Sequence, residues 1–142
     1  MSWGGAVLGA TLLAIAVIDV RTYRIPDWLN LPLIAAGLAW SALTRPDWSA
    51  HLVGAAVGYA SLAAFGALYF RLRRREGLGL GDAKLFAAGG AWLGWQALPL
   101  VLAVSAVAGL MFALVTRRRP AAAPVAFGPW LALGIWLGWL MR

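Results

Sequence analysis

The chain has 142 residues, of which 63% are hydrophobic and only 12% charged, with a formal net charge of +7 and a mean hydropathy of +0.80. So few polar residues cannot cover a soluble domain of this length, and lipid must be the solvent for much of its surface. Cysteine is absent, which excludes disulfides, thiolate chemistry and a cysteine-ligated zinc site.

Apolar stretches follow one another at roughly 3–18, 28–44, 51–70, 83–97, 98–116 and 125–141. Each has about 15–20 residues, near the number that crosses a hydrocarbon core of roughly 30 Å at about 1.5 Å per residue. The expectation is an all-α integral membrane protein: a bundle of about six transmembrane helices, forming one membrane domain over residues 1–142. Met1 to Gly5 lack the basic region of a secretory signal peptide, so the first stretch is expected to stay as a span. Only Gln96 and Pro99 separate the fourth stretch from the fifth, and five spans remain an alternative.

With six spans, the first, third and fifth connections share one face. Together with Lys84 they carry Arg21, Arg24, Arg71, Arg73, Arg74, Arg75, Arg117, Arg118 and Arg119, against Arg45 and Arg142 on the other face. By the positive-inside rule the rich face is cytoplasmic and both termini are extracytoplasmic. The basic runs then serve as orientation signals that meet anionic lipid head groups. No basic stripe is interleaved with aromatics, so nucleic acid is not an expected partner. His51, on the opposite face, reads as an interfacial residue. Trp48, Trp95 and Trp139 are expected near the outer interface, with Trp28 and Trp130 near the inner one. Gly54 and Gly58, Gly90 and Gly94, and Gly134 and Gly138 are each four apart, a spacing for close helix packing. No ligand set for a metal stands out, and no cofactor is expected.

Two aspartates do not fit a purely structural span. Asp82 follows Gly77, Gly79 and Gly81 and leads into the fourth stretch; Asp19 ends the first. At a helix centre an aspartate costs about 2.5–3.5 kcal/mol on insertion scales, which makes an acidic residue beside a span a functional candidate. An even number of crossings separates the two, so both lie at the same depth, where paired carboxyl groups sharing a proton can act as base and acid. The structural alternative is that both are helix-end residues. For Asp82, at a helix N-terminus, that suits the dipole; for Asp19, at a C-terminus, it does not, unless Arg21 offsets it.

The stretch from Asp19 to Asp27 resembles the first aspartate motif of the type IV prepilin peptidases, in which Ile-Pro follows the aspartate as Ile25-Pro26 does here. Gly79-Leu80-Gly81-Asp82-Ala83-Lys84 is similar to that family's second motif, and Phe127-Gly128-Pro129 to its third. The resemblance implies an aspartic endopeptidase of the cytoplasmic membrane face, with Asp19 and Asp82 catalytic. Its substrates would be pilin-like precursors, cut after a glycine to remove a basic leader. Position 27 is Asp where the family usually has Asn, and Ala126 replaces the first proline of the third motif. The cysteine-paired zinc domain of larger members, associated with N-methylation, has no room here, and no methyltransferase activity is expected from it. Asp27 and Glu76 are candidate contacts for a basic leader, or solvated loop carboxylates. Lys84 either favours an ionised carboxylate or snorkels to the head groups. The rival classes are a small proton-coupled transporter or channel subunit, and a non-catalytic assembly subunit that would tolerate Asn at both aspartates.

Overall fold

The computed structural model describes residues 3–22, 25–73, 80–115 and 127–141. Among the described residues every regular element is helical: α1 (Trp3–Thr22), α2 (Asp27–Thr44), α3 (Trp48–Arg73), α4 (Leu80–Leu93), a 3-10 turn (Trp95–Ala97), α5 (Leu98–Val115) and α6 (Gly128–Met141). Trp3–Thr22, Trp48–Leu72 and Trp95–Val115 are long and apolar enough to cross a membrane, and Gly128–Met141 is a shorter apolar helix. Large apolar side chains such as Leu13, Leu52, Phe65, Leu110 and Met111 face outward, as lipid permits and water would not. The chain is built as an integral membrane protein.

α4 is the inner helix. Ala83, Leu85, Phe86, Ala87, Ala88, Ala91 and Trp92 are all buried, and α2, α3 and α6 pack around it. Its closest neighbour is α3, where Gly54 and Gly58 let the two backbones meet. A Cβ at Gly58 would stand 2.9 Å from the Phe86 carbonyl, and one at Gly90 would overlap the Gly54 carbonyl. Small residues allow such contacts between helices in lipid. Gly134 and Gly138 likewise let α6 approach Val101 of α5 and Leu93 of α4.

Gly94 has a different use. Its φ is +90°, a conformation that side chains disfavour, and it ends α4. The fourth helix therefore covers 80–93 rather than 83–97, and the break falls at Gly94 instead of between Gln96 and Pro99.

Two further expectations are corrected. Trp139 stands near the end expected to be outer but faces into the bundle: it is 7% exposed and meets Trp92 edge-on at 5.7 Å, while Trp92 stacks on Trp40 at 6.5 Å. Ala132, Ile135 and Trp139 recur at helical spacing along the buried stripe of α6, which decides the matter. His51 is buried too, because it shares the α3 face of Gly54, Ala55 and Gly58 that packs on α4. Its Nδ1 lies 2.9 Å from the Ala91 carbonyl, which can only accept, so Nδ1 carries the proton. Trp28, Trp48 and Trp95 are exposed, as an aromatic belt requires.

These contacts define two ends of the bundle. At one end α1 begins against Trp40 of α2, and α3 begins against the end of α4. In the turn between α2 and α3, Arg45 Nε donates to Asp47 at 3.2 Å, and this bond holds the Asp47 carboxyl below its ordinary range. The opposite end gathers the last turn of α1 and the first turns of α2, α4 and α6.

Candidate active site

At this second end, Asp19 continues the inward stripe Leu8, Leu12 and Ile15 of α1, so its carboxylate points into the bundle and is only 4% exposed. The Gly128 N–H donates to Asp19 Oδ2 at 2.7 Å. Gly128 is the first residue of α6, where backbone N–H groups have no partner within the helix and the dipole favours an anion. α6 thus supplies what the C-terminus of α1 withholds. Glycine is required for the approach, since a Cβ at 128 would stand 2.5 Å from Oδ2. The flanking residues start the helix. The Phe127 carbonyl accepts from the N–H groups of Trp130 and Leu131, each at 3.1 Å, and Pro129 lacks an N–H in a turn that needs none.

Asp82 lies in the first turn of α4, again beside a helix N-terminus. Its approach is set by α2. Pro26 precedes that helix, and its carbonyl accepts from Leu29 at 3.2 Å and Asn30 at 3.1 Å. Ile25 packs on Gly81, where a Cβ would come within 3.2 Å of the Ile25 Cβ. Lys84 Nζ donates to both carboxylate oxygens of Asp27, at 3.0 and 3.1 Å. Asp27 is therefore the first residue of α2 rather than a loop residue, and it is ion-paired while its carboxylate stays solvated. Partly exposed pairs of this kind contribute about 0–1 kcal/mol, so the pair sets register between α2 and α4 more than stability.

Asn30 is completely buried, and its Nδ2 donates to the Gly81 carbonyl at 3.1 Å. That carbonyl only accepts, which fixes the amide with Oδ1 turned away. Oδ1 has no partner among the described residues, an arrangement that costs about 1–3 kcal/mol.

Asp19, Ile25, Pro26, Asp27, Gly81, Asp82, Lys84, Phe127, Gly128 and Pro129 thus gather at one end of the bundle, with α6 packed on both α1 and α4. Gly79 and Glu76 lie outside the described residues. No group of three metal-ligating side chains occurs among the described residues.

Residues 6–114 match the type IV leader peptidase family. The chain belongs to that family. Among curated relatives of this leader peptidase family member, a prepilin leader peptidase/N-methyltransferase of Pectobacterium carotovorum is 43% identical, covering 99% of this chain and 52% of its own. The protein of that name from Escherichia coli is 42% identical over 91% of this chain and 60% of its own. The one from Burkholderia pseudomallei is 46% identical over 89% and 42% respectively. The chain spans about half the length of the curated relatives it matches. No solved structure matches it.

Sequence reasoning missed Asn30 in this leader peptidase family member. The available signal was an amide in the first turn of an otherwise apolar stretch, since polar groups inside spans are costly without a task.

Proposed function

We propose that the chain is a membrane aspartic endopeptidase that removes the basic leader from prepilin-like precursors, cutting after the glycine ahead of their hydrophobic helix. The observation that carries this is the Asp19 carboxylate, turned into the bundle and held by Gly128 at the end where α4 begins with Asp82. Family membership and the names of the relatives support it.

In the reaction one carboxylate takes a proton from water as the oxygen adds to the scissile carbonyl carbon. The other, protonated, donates to the carbonyl oxygen. Collapse of the tetrahedral intermediate breaks the C–N bond: the proton taken from water passes to the departing amine, and a hydroxyl of the intermediate returns its proton to the other carboxylate, which restores the pair. No metal is needed for this sequence.

All six helices are taken to span the inner membrane as a single domain, with both termini extracytoplasmic and the site at the cytoplasmic face. In support, Arg21, Arg71 and Lys84 lie toward the site end and Arg45 at the other. Anionic head groups would meet the basic connections, and Asp27, with Glu76, would face the basic leader.

The test is cleavage of a tagged prepilin-like precursor in membranes, read as a mass change at the leader's glycine. Wild type is expected to cleave, and Asp19→Asn and Asp82→Asn to lose about a hundredfold or more of the rate while remaining inserted. Retained cleavage in either variant would remove that residue from the pair.

A further inference from the structure

The chemistry just described gives Asn30 no part, although it is fully buried against the segment that carries Asp82. We propose that Asn30 is a positioning residue for Asp82, acting through the Gly81 carbonyl.

The Gly81 carbonyl belongs to the same planar peptide unit as the N and Cα of Asp82, so a hydrogen bond to that oxygen fixes the plane from which Asp82 projects. The bond is needed at this place. Gly81 has the freest backbone of any residue type, and the first turn of a helix is where the ladder is weakest. On its other side Gly81 packs on Ile25.

A structural role does not explain an asparagine here. Within α4 the Gly81 carbonyl accepts from the N–H four residues on, so losing Asn30 would not orphan it. Oδ1 has no partner among the described residues, and an apolar side chain of similar volume would remove that burden. The amide is therefore held against the interest of stability, as residues that serve a site often are.

The inference rests on the peptidase function above. Its test is steady-state cleavage of the tagged precursor by the full chain and by Asn30→Leu, with thermal melting of both in detergent. Asn30→Ala carries the same comparison should the leucine variant fail to insert. The variant is expected to melt at or above wild type and to keep its KM, while kcat falls roughly ten- to a hundredfold because Asp82 is no longer aimed. An inserted variant whose kcat stays within about twofold of wild type, or whose loss lies in KM alone, overturns the proposal. Absence of cleavage by wild type would overturn the peptidase function and this inference together. Cleavage by wild type with unchanged kcat in the variant overturns this inference alone.

Discussion

A single backbone N–H, that of Gly128, reaches the Asp19 carboxylate at 2.7 Å, and it does so because nothing stands on the α-carbon at 128. Gly128→Ala would drive a methyl group into Oδ2 and displace the carboxylate. Cleavage of a prepilin-like precursor is expected to fall on the order of a hundredfold, as for a misplacement of about 1 Å; a rate equal to wild type would show that Asp19 works elsewhere. At this scale the acidic residues were legible in the sequence, since Asp19 and Asp82 interrupt apolar stretches and sit in recognisable motifs. Their partners were not. Gly128 stood out as part of a motif, but that its backbone N–H reaches Asp19, 109 residues away, leaves no mark in the sequence. The ion pair of Asp27 with Lys84 was likewise hidden, because each residue read alone has several ordinary roles.

Helix packing follows from small residues, and α4 owes its place to them. Gly90 faces the Gly54 carbonyl, a backbone group that cannot rotate away. Gly90→Ala should therefore push α3 from α4 and cost about 1–3 kcal/mol, as overpacking does. The measurement is the melting temperature in detergent, and an unchanged value would mean that the interface yields. Six apolar stretches and their order were readable from hydropathy, and six helices appear in that order among the described residues. The termini of α4 were misplaced because a glycine four residues from another is the same letter whether it admits a neighbouring helix or turns the backbone to positive φ. Only the packed structure separates Gly90 from Gly94. Trp139 and His51 differ from expectation in facing for a related reason: residue type suggested an interfacial surface, whereas helical phase turns both into the bundle near its end.

For the whole molecule, the charge asymmetry predicts which end faces the cytoplasm. The chain has no cysteine, so single-cysteine variants can be read without background. Thr22 and Thr44 are exposed at opposite ends of the bundle. In intact cells an impermeant thiol reagent is expected to label Thr44→Cys and to reach Thr22→Cys only after the membrane is opened; the reverse pattern would invert the topology. The lengths of the helices carry one more consequence. α4 and α6 each have 14 residues, about 21 Å, against a hydrocarbon layer of roughly 30 Å. Both begin at the aspartate end. In the orientation proposed above, with their far ends level with the outer boundary, the described turns of α4 and α6 reach to about 9 Å from the inner one, and the bilayer would thin there beside longer neighbours. The proposed hydrolysis needs a supply of water below the head groups, and such thinning would bring the aqueous phase down toward Asp19 and Asp82.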